Sequence, residues 1–358
     1  MKLKWLKLEG FRNYADLELT LDTEITALVG LNAQGKTNLL ESIAFLALGK
    51  SFRAHRSLET LHWNHPHGRV KGIVEENGKD VELEIFMQRS PEIKKVKKGD
   101  KVTAPKSFLG TLRVVIFTPD HLELVSGSPA ERRQYLDRLL LQLNGGYVES
   151  FSQYQRILDH RNALLKSIQM HRAQTWELDL WDARLTEEAY RVWTKRKAFI
   201  DYLNTTLAKD YQTLAGSKET LTLDYHCHKD RFEERLIAVR DQDIRTGSSS
   251  LGPHRDDFIL LLDGRPLKEC GSRGECRSAV LALKMAEIRY MEEVSGEKPL
   301  LLLDDVFSEL DSLRQEHLGN LLKKYQSILT TTSVDHLQGL KKVKVYKVEE
   351  GQLKAYTL

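Results

Sequence analysis

The chain has 358 residues, a length that predicts one large domain or two of ordinary size. Its apolar fraction of 41% is enough for a globular core, and 54 basic against 51 acidic residues leave a net charge of only +3. This balance excludes a strongly basic chain, so any surface that binds nucleic acid must be local.

Membrane insertion and secretion are not expected. No stretch approaches eighteen consecutive apolar residues, which predicts no transmembrane helix and no membrane partner. The N-terminal segment MKLKWLKLEG alternates like a strand and lacks the continuous apolar run of a signal peptide. The three cysteines form no C-x-x-C pair, and a reducing, cytoplasmic setting is predicted.

The N-terminal region predicts two strands followed by a phosphate-binding loop. Lys2–Leu8 and Leu17–Leu21 alternate apolar and polar residues, and the turn Phe11-Arg12-Asn13-Tyr14 lies between them. Gly30–Thr37, GLNAQGKT, then fits the pattern G-x-x-x-x-G-K-[ST]. Glu24–Val29 before it predicts a buried strand, and Asn38–Leu48 after it predicts a helix.

The strand–loop–helix context distinguishes a phosphate-binding loop from the alternative, a glycine-containing turn that merely carries a lysine. Backbone N–H groups of the loop are expected to surround a β-phosphate at the helix N-terminus. Lys36 is expected to reach the β- and γ-phosphates, and the Thr37 hydroxyl to bind Mg²⁺. The predicted nucleotide-binding residues here are Gly30, Leu31, Asn32, Ala33, Gln34, Gly35, Lys36, Thr37 and Asn38.

Two hairpins and a short strand are predicted next. Arg69–Glu75 and Val81–Met87 flank the turn Asn77-Gly78, and the β-branched segment Val114–Phe117 ends before Pro119. The second hairpin is strongly basic, with lysines at 94, 95, 97, 98, 101 and 106. Such a hairpin either tracks DNA phosphates or is a protected sheet edge with a solvated face.

The middle of the chain predicts a helical lobe, from Ala130 to about Leu214. Trp176, Trp181, Tyr190 and Trp193 fall near helical spacing, and packing in the core of that lobe is the favoured interpretation over base stacking. The predicted segments are a first part of an ATPase lobe over 1–119, the helical lobe over 120–245, and a second part of the ATPase lobe over 246–358.

Leu300–Asp305, LLLLDD, predicts a central parallel strand that ends in two acids. Its carboxyl end should lie beside the phosphate-binding loop, where open α/β sheets bind ligands. Asp304 is expected to hold Mg²⁺, and Asp305 to orient the attacking water. The alternative is that both acids cap a strand end in a turn.

Two further segments complete the pattern of an ABC-type ATPase. Cys270–Glu275 precedes a predicted helix, and Ser272 and Glu275 fit either a local capping box or an ABC signature written Ser-Arg-Gly-Glu. Ser308–Asp311 is a helix N-cap signal taken alone and resembles a D-loop after LLLLDD. The predicted nucleotide-binding residues in these segments are Ser272, Gly274, Glu275 and Asp311.

These motifs together resemble the RecF family, bacterial recombination-mediator ATPases of the ABC/SMC head class. Pro119–Asp137, Gly252–Asp257 and Asp304–Asp311 are similar to segments peculiar to that family, and the resemblance covers essentially the whole chain. It implies an α/β fold, namely an ABC/SMC-like P-loop head with a mixed sheet and an inserted helical lobe. It also implies that Arg12 and Asn13 contact the nucleotide, as similar residues do in SMC-type heads.

The resemblance further implies ATP and Mg²⁺ as ligands, weak DNA-dependent ATP hydrolysis and ATP-driven homodimerisation, with the signature acting on the γ-phosphate of the other subunit. It implies binding at DNA gaps and help for RecO and RecR in loading RecA. The ATPase subunit of a membrane transporter and a plain P-loop NTPase are the competing hypotheses.

The sequence departs from the ABC pattern in two places, since no clear Q-loop glutamine follows Val114–Phe117 and no switch histidine occurs in Ile328–Ser333. Thr331 or Thr332 stands there instead. Arg53 and Arg56, just after the predicted P-loop helix, are either phosphate or DNA ligands or exposed solvated arginines. Arg132-Arg133 is a further DNA candidate, with an ion pair to Glu131 or Asp137 as the alternative.

Overall fold

The computed structural model describes residues 1–143 and 145–356. The strands are β1 Lys2–Phe11, β2 Tyr14–Thr20, β3 Ile25–Val29, β4 His67–Glu76, β5 Lys79–Gln88, β6 Ile93–Lys98, β7 Lys101–Val102, β8 Val114–Phe117, β9 Leu221–His226, β10 Asp257–Leu262, β11 Arg265–Pro266, β12 Leu300–Asp304, β13 Ser327–Thr331, β14 Val343–Glu349 and β15 Gln352–Tyr356. The helices are α1 Lys36–Leu48, α2 Pro105–Phe108, α3 Glu123–Ser126, α4 Pro129–Leu143, α5 Gly145–Gln169, α6 Leu178–Ala215, α7 Phe232–Ala238, α8 Arg240–Thr246, α9 Leu267–Cys270, α10 Arg273–Ser295 and α11 Ser312–Leu322.

The described chain divides into two compact units. The first contains Met1–Leu122, Leu214–Gly216 and the chain from Val280 onward, and the second contains Glu123–Thr213 and Ser217–Ala279. This division differs from the predicted segments, because 246–279 belongs to the second unit together with the long helices. The physical reason is strand pairing, since β10 pairs along its length with β9.

The first unit is built from two six-stranded sheets with α1 packed on both. One sheet is antiparallel, in the order β2-β1-β4-β5-β6-β7. The other has the order β15-β14-β3-β13-β12-β8, and only its edge strand β15 is antiparallel. Eleven of the thirteen α1 residues are buried, and the apolar ones join side chains of both sheets in one core. Burial on every side explains why α1 is apolar all round.

Local predictions in this unit are confirmed. Leu300–Leu303 are fully buried in β12, which lies between β13 and β8 and runs parallel to both. The turn between β4 and β5 has positive φ at Asn77 and Gly78, 51° and 72°, the conformation that Asn-Gly favours in a two-residue hairpin.

The second unit contains the long helices α4, α5 and α6 and the three-stranded sheet β11-β10-β9. Trp193 is fully buried in it, as the spacing predicted, but Trp176 is 71% exposed, so that prediction of core packing is wrong for Trp176. Across the described residues, every helix is too short or too polar to cross a membrane.

Candidate nucleotide site

The loop between β3 and α1 wraps around its own lysine. The Nζ of Lys36 donates hydrogen bonds to the carbonyl oxygens of Gly30 at 2.6 Å and Leu31 at 2.8 Å. Burial lowers the pKa of Lys36, while the nearby carboxylates of Asp305 and Asp304 raise it in part. The loop therefore encloses one cation that faces two acids.

The turn between β1 and β2 braces the same loop. The amide of Asn13 donates to the carbonyl of Gln34 at 3.3 Å and accepts from Asn38 Nδ2 at 2.8 Å. Gly35 has φ of 111°, and a Cβ there would lie 2.4 Å from Asn13 Nδ2. Glycine is therefore required at this position both by the backbone conformation and by the close approach of Asn13.

Residues 267 positions apart meet at the carboxyl end of β12. The Thr37 hydroxyl donates to Asp304 Oδ1 at 2.8 Å. The Thr330 hydroxyl, on the parallel neighbour β13, donates to the same oxygen at 2.8 Å and accepts the backbone N–H of Asp305 at 2.9 Å. Thr330 thus links the two acids that the sequence predicts as metal ligand and water-positioning group.

Asp305 has two features of a strained functional position. Its backbone is left-handed, with φ of 48°, which an aspartate adopts only at some cost. Its Oδ1 is buried and has no hydrogen-bond partner among the described residues. Burial raises the pKa of Asp305, and the charge of Lys36 opposes that shift.

A cavity of about 400 Å³ joins the loop to these acids. It is lined by Asn32, Ala33, Gly35, Lys36, Thr37, Asn38, Arg53, Pro119, Asp304, Asp305 and Thr330. A hydroxyl, two carboxylates, an ammonium and backbone N–H groups at a helix N-terminus suit a phosphorylated ligand with a hard cation.

Arg12 and Arg53 share one buried carboxylate. Arg12 donates to both Glu41 oxygens, at 2.9 and 2.6 Å, and to the carbonyl of Glu59 at 3.1 Å. Glu41 is fully buried on α1, and Arg12 supplies the charge that pairs with this carboxylate, while its contact with a nucleotide stays a prediction. Arg53 lies 3.6 Å from Glu41, bonds Asn38 at 3.1 Å and lines the cavity. The pairing of Arg12 with Glu41 could not be predicted from the sequence, because the pattern does not show which cation the fold brings to this acid.

The sequence is similar to known proteins along nearly its whole length. The profile of the RecF/RecN/SMC N-terminal domain matches residues 2–354. The DNA replication and repair protein RecF of Geotalea daltonii is 36% identical, covering 99% of this chain and all of the relative. The protein of the same name from Lactococcus lactis is 37% identical, covering 99% of both chains. The chain belongs to the RecF family.

Solved structures agree with the RecF assignment. A structure of the recombination mediator protein RecF with ATP, described as part of the RecFOR pathway, superposes with a TM-score of 0.92 at 30% identity, over 99% of this chain and 97% of that one. An Smc head bound to a domain of ScpA superposes with a TM-score of 0.59 at 15% identity, which shows the shared fold alone. The predicted ABC/SMC-type ATPase fold class is therefore confirmed.

His336 is a site residue that the sequence reasoning missed. It lies in a short 3₁₀ turn after β13, and its Nδ1 shares a hydrogen bond of 2.8 Å with the Thr331 hydroxyl. The electrostatic influence of His336 opposes the rise that burial causes in the pKa of Asp305. His336 lies beyond Ile328–Ser333, the segment in which a switch histidine is expected, in the turn that follows β13.

The predicted signature forms a capping box at the start of α10. The backbone N–H of Ser272 donates to Glu275 at 2.6 Å, and the N–H of Glu275 donates to the Ser272 hydroxyl at 3.3 Å. These bonds lower the pKa of Glu275. Ser272 and Gly274 belong to the second unit, whereas the P-loop belongs to the first.

Asp311 caps the next helix. Its Oδ1 accepts from the backbone N–H of Arg314 at 3.0 Å at the start of α11. The segment before it is held by Gln315, which donates to the carbonyls of Phe307 and Leu310 at 2.8 and 3.0 Å. The D-loop candidate is thus a turn held by hydrogen bonds directly after β12.

The basic hairpin is tied into the first unit by three of its lysines. Lys94 bonds the carbonyl of Gly49 at the end of α1 and lies 5.2 Å from the Phe45 ring centroid. Lys97 and Lys98 pair with Glu84 at 3.3 Å and Glu76 at 3.0 Å. These contacts favour the interpretation of the hairpin as a stabilised sheet edge.

Arg132 and Arg133 have partners that the sequence did not suggest. Arg132 forms a two-bond pair with Asp257, at 2.6 and 2.9 Å, and is 7% exposed. Arg133 donates to the carbonyl of Asp256 at 2.8 Å. The structure thus supports the alternative of pairing within the chain, but the partners are in the Gly252–Asp257 segment and not Glu131 or Asp137. Both arginines stabilise the second unit.

Proposed function

We propose that this protein is an ATP-dependent DNA-binding protein with weak DNA-dependent ATPase activity, which dimerises on ATP. The observation that carries the proposal is the 2.8 Å hydrogen bond from Thr37 to Asp304. It joins the P-loop and the acidic strand, which is the minimum needed to hold a nucleotide and its metal ion.

The proposed roles follow from chemistry at the cavity. When a nucleotide binds, Lys36 exchanges its bonds to neutral loop carbonyls for bonds to negatively charged phosphate oxygens. Thr37 and Asp304 offer a hydroxyl and a carboxylate, the hard oxygen donors that suit Mg²⁺. When bound, that ion neutralises charge on the phosphates. Asp305 orients the attacking water through its buried, unpartnered oxygen.

The active site is proposed to be shared between two subunits, with Ser272 acting in trans on the γ-phosphate. Its support is the position of Ser272 at the start of α10, a helix N-terminus that suits an anion and lies far along the chain from the P-loop. ATP would stabilise the dimer by differential contacts, and ADP, which lacks the γ-phosphate, would release it. Gly274, Glu275 and Asp311 are assigned to the same shared site.

Light scattering with ATP and Mg²⁺ tests the shared site. Ser272→Arg is expected to bind ATP normally and remain monomeric, whereas Thr205→Arg, exposed on α6 of the same unit, should dimerise as wild type. A mixture of Ser272→Arg and Lys36→Met should form heterodimers with one intact composite site. A dimer of Ser272→Arg as stable as wild type would refute the shared site and favour a simple NTPase.

The biological role is proposed from the relatives' names. They are DNA replication and repair proteins, and one solved relative is a recombination mediator of the RecFOR pathway. We assign this chain to recombinational repair of gapped DNA and replication-fork maintenance in the cytoplasm, with RecR and RecO as partners that help load RecA. ATP-dependent binding to gapped DNA, with hydrolysis stimulated by that DNA, tests the assignment. Turnover unaffected by DNA would contradict it.

A further inference from the structure

The loop between the 3₁₀ turn Ser57–Thr60 and β4 presents a tryptophan to solvent. Trp63 is 91% exposed, the most exposed large apolar side chain in the described part of the chain. It stands in the sequence Leu61-His62-Trp63-Asn64-His65-Pro66-His67. So much exposed ring surface contributes little to the stability of the fold itself.

The loop is nevertheless fixed at both ends. The backbone N–H of His62 donates to Gly10 at 2.9 Å, and that of Arg89 donates to Pro66 at 3.0 Å. Arg89 also bonds the carbonyl of Leu61 at 3.2 Å through its guanidinium. Leu61 itself is 3% exposed. Trp63 therefore projects from an ordered support, which limits the entropy lost on binding.

Inside the loop, further contacts shorten its free span. His65 donates its backbone N–H to the carbonyl of His62 at 3.2 Å, and Asn64 donates to His62 Nδ1 at 3.2 Å. The two imidazoles meet edge to face at 4.8 Å. A Cβ at Gly10 would lie 3.1 Å from His65 Cβ, so the loop packs closely on the end of β1.

The segment that carries Trp63 is polar and contains no acidic residue. Between Leu61 and Arg69 the sequence contains three histidines, an asparagine and no acid. Arg89, which supports the loop, and His67 are exposed. The Trp63 indole is surrounded in sequence by N–H donors, an arrangement that suits a flat base on an anionic nucleic-acid backbone. A protein interface would need more apolar side chains beside the ring.

We propose that Trp63 is a stacking platform for an unpaired base of DNA, with the adjacent imidazole and guanidinium groups facing the phosphates. The inference rests on the proposed function and deepens it, because it assigns a place to the single-stranded part of a gapped substrate. An aromatic face stacks with any base, so this contact is independent of sequence.

Fluorescence anisotropy with labelled gapped DNA, ATP and Mg²⁺ tests the platform. Trp63→Ala is expected to weaken binding by about tenfold, within the range measured for stacked bases, and Trp63→Phe by less. The slope of log affinity against log salt should stay unchanged, because no phosphate contact is lost. Binding to a gapless duplex should be little affected. The matched control is Trp176→Ala, because Trp176 is also highly exposed but lies in the second unit.

A second measurement separates stacking from a structural role. The emission of Trp63, taken as the difference between wild type and Trp63→Phe, should be quenched by oligo(dT). Normal gapped-DNA affinity of Trp63→Ala would overturn the platform and leave the proposed function standing. Normal DNA binding with loss of the ATP-induced dimer would assign the ring to the second copy of the chain and also overturn it. Wild-type protein that binds no DNA would overturn both proposals.

Discussion

Replacing Thr330 by valine tests how the two acids are positioned. Thr330 is 1% exposed, and its hydroxyl makes two bonds, one to Asp304 Oδ1 and one from the backbone N–H of Asp305. Valine keeps the shape and removes both. Leaving the Asp305 N–H buried and unsatisfied costs about 1–3 kcal/mol, and losing a bond to a charged acceptor costs about 1.5–3 kcal/mol. Since the two bonds share one hydroxyl, a total of roughly 2–4 kcal/mol is expected.

The rate of ATP hydrolysis should also fall in Thr330→Val, because the Thr330 hydroxyl holds the backbone N–H of Asp305. If Asp305 orients the attacking water as proposed, a shift of its carboxylate by about 1 Å corresponds to a loss of roughly 10²-fold in kcat. Urea unfolding followed by circular dichroism measures stability, and phosphate release at saturating ATP measures kcat. Thr330→Ser, which keeps the hydroxyl, is the control and should retain most of both. Wild-type turnover in Thr330→Val, or equal losses in both variants, would refute this reasoning.

Three other substitutions test separate parts of the first unit. Lys36→Met should abolish ATP binding in calorimetry with an unchanged circular dichroism spectrum, and normal affinity would contradict the P-loop assignment. Asp305→Asn should bind ATP and dimerise but hydrolyse about 10²–10³-fold more slowly, since the amide lacks the charge that orients water; unchanged turnover would move that role to another residue. In wild type, burial raises the pKa of Asp305. The midpoint of the acid limb in the pH profile of kcat should therefore lie above the ordinary value of 3.8, and this limb should be absent in Asp305→Asn. Burial raises the pKa of Glu84, but hydrogen bonds from Lys71 and Lys97 outweigh it and hold the pKa below 4.5. Wild type should therefore be more stable than Glu84→Gln above pH 4.5 and lose that advantage as the pH falls through the folded-state pKa; a difference constant with pH would contradict this.

Features encoded by short stretches could be predicted from the sequence. The P-loop, the buried strand before the two acids and the Asn77-Gly78 turn each depend on residues within about ten positions of one another. In these cases the backbone preference, the apolar pattern and the special φ values all specify the same structure. The extent of the fold could then be inferred from the order of the motifs.

Features set by distant partners could not be predicted in this way. Arg132 finds Asp257, 125 positions later, and Lys94 finds the end of α1, 45 positions earlier. A sequence pattern reports which residues are charged but not which opposite charge the fold will bring to them. Trp176 and Trp193 show the same limit, because helical spacing marks a face without saying what covers it.

Glu41 shows why the partners of residues near the site are especially difficult to predict from the sequence. It lies one turn after Thr37 on α1, a helix whose residues are mostly buried. Its carboxylate contacts Arg12 in the β1–β2 turn. Because Arg12 satisfies that buried carboxylate with two short bonds, removing Arg12 would leave a buried charge with weaker partners. Arg53 reaches the same carboxylate only at 3.6 Å and lines the cavity. Through Glu41, α1 therefore holds Arg12 in a buried ion pair, whereas Arg53 lines the candidate nucleotide cavity.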